Sequence, residues 1–82
     1  MVVDDLLREI GIAVNVAKEK HKIFAADHDH AMLVCLSEFR EFEAQAMLAS
    51  RDAKGTRLAK ARQEAMDCIV VLARYLEMTA TP

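Results

Sequence analysis

The scarcity of residues that interrupt helices is the feature that most constrains the fold of this chain. Its 82 residues include two glycines and a single proline, Pro82, which is the last residue. Hydrophobic residues make up 54% of the sequence, and the abundant Ala, Leu and Met are strong helix formers. The sequence therefore predicts an all-α fold, organised as one domain over residues 1–82.

Hydrophobic periodicity places the first two helices. Apolar residues recur at alternating steps of four and three from about Val2 to about Lys20, which predicts a helix with one apolar face. The period breaks over residues 22–26. Asp27 is then predicted to cap a second helix that runs to about Ser50.

A turn and a third helix follow. The segment SRDAKG contains Gly55, which we expect to adopt the left-handed conformation common after helices. Thr56 is predicted to cap a third helix that runs to about Met78 and forms an antiparallel hairpin with the second. One apolar stripe of each helix is expected to face the core: Val3, Leu7, Ile10, Val14 and Ala17; Met32, Cys35, Phe39, Phe42, Ala46 and Ala49; Leu58, Ala61, Ala65, Cys68, Leu72 and Tyr75.

Composition limits the partners of this domain. So much apolar surface exceeds what one small chain can bury, so we expect a homodimer or homotetramer that completes the bundle. The net charge is −2, so no basic stripe favours nucleic acid as a partner. The apolar runs are far shorter than the roughly 20 residues that span a bilayer. The acidic N-terminal segment and the unpaired Cys35 and Cys68, expected to be buried thiols, favour a cytoplasmic protein.

Two pairs of acidic residues lie beside the apolar stripes of the second and third helices. Glu38 and Glu41 are three residues apart, as are Glu64 and Asp67, and side chains at this spacing are neighbours on a helix. In an antiparallel hairpin, residues equally distant from the turn lie side by side. The midpoint is position 52.5 both for Glu38 with Asp67 and for Glu41 with Glu64. This register predicts that four carboxylates converge at one level of the bundle.

Converging carboxylates repel one another unless they hold protons or cations. Carboxylate oxygens are hard ligands, so Mg²⁺ or Mn²⁺ is the cation that suits them. Mg²⁺ held in this way normally keeps water molecules and binds substrate phosphates, which makes a nucleotide polyphosphate the expected ligand. The competing interpretation is that both pairs belong to solvated helix faces, where acidic and basic residues often alternate.

The paired motif resembles a known signature. Glu38-x-x-Glu41, followed after 22 residues by Glu64-x-x-Asp67, is similar to the signature of the MazG-like, all-α nucleoside triphosphate pyrophosphohydrolases. The segments KEKHKIF and RQEAMDCIVVLARYLE resemble short MazG-like proteins as well, and the likeness extends over residues 6–77. The resemblance implies Mg²⁺-dependent hydrolysis of an NTP or dNTP to a nucleoside monophosphate and pyrophosphate, by a helical bundle completed by dimerisation.

The resemblance also implies roles for particular residues. Four acids would bind the metal: Glu38, Glu41, Glu64 and Asp67. Glu41 or Glu38 would orient the attacking water. Lys60 and Arg74 lie on the same stripe as the third-helix acids, so we predict that they reach substrate phosphates.

Two other functions stay open. One is a non-catalytic helical interaction protein that keeps the fold, because Ser37 stands where many MazG-like proteins have a further acid. The other is a metal-binding bundle without a nucleotide substrate, although the acids lack the histidine three residues later that is typical of di-iron bundles. His28 and His30 do not share a helix face and are interpreted as solvated, with His30 or Tyr75 as candidates to contact a base.

Overall fold

The structure is a computed structural model that describes residues 2–52 and 54–80. These residues form three α-helices, α1 (Val3–Lys20), α2 (His28–Arg51) and α3 (Gly55–Met78). α2 and α3 pack closely along each other, which confirms the all-α fold for this part of the chain. Within it, we find no helix whose length and apolar character would allow it to cross a membrane.

Asp27 caps α2, as predicted. Its Oδ1 accepts a hydrogen bond from the backbone N–H of His30 at 2.8 Å. The His30 ring adds a second bond, because Nδ1 accepts from the backbone N–H of Ala26 at 3.0 Å. Two backbone donors at the start of the helix are thereby satisfied. The backbone and the ring of His30 therefore both stabilise the beginning of α2.

The turn between α2 and α3 differs from its prediction. Gly55 is the first residue of α3, and none of the glycines in the described residues has a positive φ. The prediction that Gly55 adopts the left-handed conformation is therefore wrong. Thr56 lies inside the helix, and the N-cap position belongs to Lys54, whose side chain makes no capping bond. On either side of the turn, Asp52 has φ −149° and Lys54 has the extended backbone with φ −73°, so neither of these two residues is left-handed. Ala53, in the middle of the predicted turn, lies outside the described residues.

Small side chains form the closest packing of α2. Ala31 is fully buried and Ala49 is buried, whereas Met32 and Phe39, predicted to be core residues, are 45% and 54% exposed. Four residues of the predicted stripe are buried or half-buried as expected: Cys35, Phe42, Ala46 and Ala49. The helix is rotated slightly from the predicted orientation, so that its seam also includes Ala31, Glu38 and Gln45. Other residues predicted for the core are also exposed: Val3, Leu7, Leu58 and Leu72. The rotation brings Glu38 into the seam.

α1 packs against one row of α3 residues spaced by four, which places them on a single face: Arg62, Met66, Val70 and Arg74. The guanidinium of Arg62 donates to both carboxylate oxygens of Glu9, at 3.1 and 3.3 Å. Met66 and Val70 are buried between the two arginines. Glu9 of α1 contacts Arg62, and Ala17, later in α1, contacts Arg74, later in α3. Because the residue numbers of both helices increase in the same direction along the contact, the two helices run parallel.

The described residues form a thin core. None of their large side chains is fully buried, and exposed apolar side chains remain on all three helices. The radius of gyration is 13.9 Å, compared with about 12 Å for a compact chain of this length. The arrangement therefore leaves more apolar surface in contact with solvent than a well-filled bundle would.

Candidate metal centre

Three acids meet at the contact between α2 and α3. One carboxylate oxygen from each of Glu38, Glu41 and Glu64 lies within 4.8 Å of the others. Glu38 and Glu41 share a face of α2 because they are one turn apart, and the hairpin brings Glu64 of α3 against them. Glu38 and Glu64 are half-buried, whereas Glu41 is exposed. The structure therefore joins three of the four acids that the motif singles out.

Two oxygens of this cluster lack a hydrogen-bond donor. Glu38 Oε2 and Glu64 Oε2 are buried and accept no hydrogen bond from the described residues. A buried, unsatisfied polar atom typically costs about 1–3 kcal/mol, and more when it is charged. The site therefore favours a proton or a cation between these oxygens.

The electrostatics of Glu38 reflect the same crowding. Burial is the largest cause that raises the pKa of its carboxyl, and the negative charges of Glu41 and Asp67 raise it further. A proton held by Glu38 can also be donated to Glu41, and the charge of Glu64 adds a smaller effect in the same direction. Without a cation, Glu38 thus retains its proton to a higher pH than an ordinary glutamate does.

Asp67 lies at the edge of the cluster. Its Oδ1 accepts a hydrogen bond from Gln63 Nε2 on the same helix at 3.0 Å, and it does not belong to the closely spaced triad. It is near enough to raise the pKa of Glu38. Asp67 therefore adds negative charge to the cluster, while the shortest distances join the other three acids.

The donor set fits a hard divalent cation. All three triad residues offer carboxylate oxygens, the ligand type that Mg²⁺ and Mn²⁺ prefer. A cation placed among them would satisfy the buried oxygens of Glu38 and Glu64, which no group in the described residues does. Glu38, Glu41 and Glu64 are accordingly the residues that would hold Mg²⁺, with Asp67 beside them.

Of the two residues predicted to bind phosphates, one is exposed near the acids and the other is buried against α1. Lys60 is exposed on α3, one turn before Glu64. Arg74 is buried, and its guanidinium donates to the carbonyls of Ala17 at 3.4 Å and His21 at 2.5 Å. The same guanidinium lies over the ring of Phe24, 5.4 Å from its centroid. Arg74 thus holds the C-terminal end of α1 and is not brought to the acids.

The periodicity of the sequence did not reveal this role of Arg74. A signal for it exists, because the last carbonyls of a helix lack intrahelical donors and a long basic side chain can supply them. The row of α3 that carries Arg74 also carries Met66 and Val70, which marks it as a second buried face. Recognising that face would have required knowing that α1 packs against α3.

An apolar groove of about 330 Å³ lies between α2 and α3, and we call it the α2/α3 groove. It is lined by His28, Met32, Cys35, Leu36, Phe39, Cys68, Leu72 and Tyr75. The Sγ of Cys35 lies 3.8 Å from the carbonyl oxygen of Val71, so this thiol reaches across to α3. The groove is therefore a surface that the two helices form jointly.

The α2/α3 groove borders the acid cluster. Burial is the main cause that raises the pKa of the Cys68 thiol, and the charges of Glu38, Asp67 and Glu64 raise it further. Burial also raises the pKa of the Cys35 thiol. Both cysteines are free thiols, half-buried rather than fully buried as the stripes predicted. The apolar lining and the acids thus belong to one continuous region of the hairpin.

A polar pair closes the end of the groove away from the turn. His28 Nε2 and the Tyr75 hydroxyl are 2.8 Å apart, and the two rings meet edge to face with centroids 5.6 Å apart. Tyr75 was predicted as a candidate to contact a base, and His28 was predicted to be solvated; His28 is exposed, as predicted, and its ring also contacts Tyr75. The hairpin register was the available signal, because it places these two residues at nearly the same distance from the turn.

Comparisons with protein-family models, with curated proteins and with solved structures found no match for this chain.

The chemistry available to the site follows from its own residues. Three carboxylates, two of them with unsatisfied buried oxygens, adjoin an apolar groove with a polar pair at its far end. Such an arrangement suits a cation at the acids and an apolar group in the groove.

Proposed function

We propose that this chain is an Mg²⁺-dependent nucleotide pyrophosphohydrolase, which converts an NTP or dNTP to the monophosphate and pyrophosphate. The observation that carries the proposal is the meeting of Glu38, Glu41 and Glu64 with two buried oxygens that need a cation or a proton. In the reaction, the bridge between the α- and β-phosphates breaks and water supplies the new oxygen and the protons. The resemblance of the paired acidic motif to MazG-like enzymes supports the same reaction.

The chain's own residues take distinct parts in this proposal. Glu38 and Glu64, which are half-buried, hold the cation from within the hairpin, and Asp67 adds charge beside them. When bound there, Mg²⁺ would supply positive charge against the phosphates and would make the attacking water more acidic. Glu41 is exposed, so it is the acid that we assign to orienting the attacking water and accepting its proton, with Glu38 next to it. Lys60, exposed one turn before Glu64, is the basic residue that we assign to the phosphates.

Self-association is part of the proposal. Val3, Leu7, Ile12 and Val16 of α1 are all exposed. A homodimer or homotetramer would bury such surface and complete the thin bundle. A cytoplasmic location is proposed as well, because free thiols persist in reducing compartments.

The decisive experiment is product analysis after incubation of NTPs and dNTPs with the purified protein and Mg²⁺. Glu41→Gln tests the cluster, and Glu43→Gln, an exposed acid on the same helix, is the matched control. We expect monophosphate and pyrophosphate from the parent and from Glu43→Gln, and none from Glu41→Gln. Equal release by all three preparations would indicate a contaminating hydrolase and remove the support for the reaction.

A non-catalytic interaction protein is the second candidate, and the exposed apolar side chains on α1 favour it. Thermal melts separate the candidates, because a ligand that binds only the folded state raises the melting temperature. Stabilisation by Mg²⁺ that a nucleotide deepens supports the enzyme. Indifference to both supports the interaction protein, and stabilisation by metal alone supports a metal-binding bundle without a nucleotide substrate.

A further inference from the structure

The α2/α3 groove has the properties of a small-molecule site. Its volume of about 330 Å³ lies at the lower end of the range for ligand pockets, about 300–1,000 Å³. Its walls are apolar, and two of the lining residues, Phe39 and Leu72, are about half exposed. Ligand pockets typically combine such walls with a few polar groups that orient the ligand. Here the polar groups are His28 and Tyr75 at one end.

The other end of the groove leads to the acids. Cys68, which lines the groove, lies one helical turn after Glu64 on α3, and Cys35, also in the lining, lies one turn before Glu38 on α2. A ligand with its phosphates at the acid cluster would therefore direct its remaining part along the groove, toward Tyr75. The remaining part of a nucleotide is a sugar and a flat heteroaromatic base, and the apolar walls match the faces of such a ring.

We propose that the α2/α3 groove binds the nucleobase of the substrate, and that the hydrogen-bonded His28–Tyr75 pair determines which base is accepted. This inference rests on the proposed function for the identity of the ligand. It adds a specificity site that is separate from the metal cluster. Tyr75 is the residue whose hydroxyl contacts the edge of the base, and His28 is a positioning residue that fixes the direction of that hydroxyl.

The pair is suited to reading an edge because a hydroxyl both donates and accepts. When His28 Nε2 is unprotonated, it accepts from the Tyr75 hydroxyl, whose lone pairs then accept from an amino group of a base. When Nε2 carries a proton, it donates to Tyr75, whose O–H is then free to donate to a carbonyl of a base. The tautomer of His28 thus determines whether the Tyr75 hydroxyl donates to a base or accepts from it at the end of the groove.

The first test uses nucleosides, which lack phosphates, and omits Mg²⁺, so it does not depend on catalysis. Deoxyadenosine, deoxycytidine, deoxyguanosine and thymidine are titrated into ¹⁵N-labelled protein, and amide shifts are followed. We expect saturable shifts at groove residues of α2 and α3. Leu72→Arg, which places a charge in the groove, should weaken binding about tenfold or more, the loss expected for burying an unpaired polar group. Leu76→Arg is the matched control, since Leu76 is 68% exposed, one turn away and outside the groove lining.

The second test concerns selectivity. Tyr75→Phe keeps the ring and removes the hydroxyl, so we expect the ratio of affinities between the best and worst nucleoside to change by about threefold to tenfold, the effect of one net hydrogen bond. His28→Asn should change the same ratio, whereas a purely structural role would weaken all nucleosides equally. Circular dichroism and thermal melts of each variant confirm that it is folded. An unchanged ratio in both variants contradicts the assignment of this pair.

The outcomes distinguish a failure of the groove from a failure of the reaction. Nucleosides that bind the groove of a protein without hydrolytic activity support the groove and contradict the reaction. If Leu72→Arg leaves hydrolysis unchanged and no nucleoside shifts an amide of the groove, the groove is not the base site. The proposed reaction then stands, and only the inference about the groove is wrong. If sedimentation shows a dimer that Leu72→Arg makes monomeric, and nucleosides shift no groove amide, the groove is an interface between copies and our inference is wrong.

Discussion

Glu38 and Glu64, on neighbouring helices, each direct one carboxylate oxygen into the hairpin, where it accepts no hydrogen bond from the described residues. Their closest oxygens, together with one of Glu41, lie within 4.8 Å of one another. The cluster is thus unfavourable when all its members are ionised and nothing neutralises them. The stability of the folded chain should therefore depend on pH and on divalent cations.

Mg²⁺ should stabilise the folded protein through the acid cluster. A ligand at one hundred times its dissociation constant raises the free energy of unfolding by about 2.7 kcal/mol. We expect Mg²⁺ to raise the melting temperature of the parent, and of Glu43→Gln, relative to samples in EDTA. Glu64→Gln, which replaces an unsatisfied carboxylate of the cluster, should lose most of this increase. An equal increase in Glu64→Gln and the parent would place the cation elsewhere.

The metal-free protein should become less stable as the pH rises above the ordinary pKa of a glutamate. Folding raises the pKa of Glu38 from its ordinary value of 4.5, so the folded state binds this proton more tightly than the unfolded state does. The resulting stabilisation is fully present below pH 4.5 and is lost as the pH rises through the raised pKa of the folded state. Urea unfolding in EDTA across this pH window measures the effect.

Glu38→Gln should remove that part of the pH dependence, because the amide is neutral at every pH of the window. At neutral pH and without metal, we expect this variant to be more stable than the parent, since the charge repulsion with Glu41, Asp67 and Glu64 is lost. It should also lose the stabilisation by Mg²⁺. A variant less stable than the parent in EDTA would show that the Glu38 carboxylate has a partner that stabilises its charge.

Arg74→Ala should destabilise the packing of α1 against α3. The variant loses two hydrogen bonds to carbonyls near the end of α1 and the contact with the ring of Phe24. We expect a decrease of about 2 kcal/mol in the free energy of unfolding, measured by urea denaturation. Arg40→Ala, at an exposed position of α2, is the control and should change it by less than about 0.5 kcal/mol.

The same variant tests whether Arg74 also serves the substrate. Because its guanidinium contacts α1 rather than the acids, we expect Arg74→Ala to retain the additional stabilisation that a nucleotide gives in the presence of Mg²⁺, at a temperature where the variant is folded. Loss of that nucleotide effect, with the effect of Mg²⁺ alone retained, would favour a role at the phosphates instead.

Asp27→Ala should destabilise the beginning of α2. The substitution removes the side-chain oxygen that accepts from the His30 backbone N–H, and the loss of an N-cap typically costs about 1 kcal/mol. Amide hydrogen exchange should show the largest increase in the first turn of α2. Faster exchange spread evenly over all three helices would instead indicate that Asp27 contributes to global stability.

The sequence by itself was sufficient for the helices and for the motif. Scarce glycine and proline, a period of three to four residues and the capping Asp27 predicted the bounds of α1 and α2 to within one residue. The spacing of Glu38, Glu41 and Glu64 around a short turn was enough to predict that these acids approach one another. These features are local, or depend only on distance from one turn, so the physical rules that govern them can be read from the residues in order.

The tertiary structure alone decided which helix faces are buried. On α2, the predicted core stripe included Met32 and Phe39, whereas the structure leaves both exposed and buries Ala31 of the adjacent stripe. On α3, the contact with α1 buries Arg74, which periodicity alone assigned to the acidic stripe. A small rotation of a helix exchanges neighbouring stripes at little local cost. Its direction is therefore set by the shapes and charges of the helices it packs against, which a single sequence pattern does not contain.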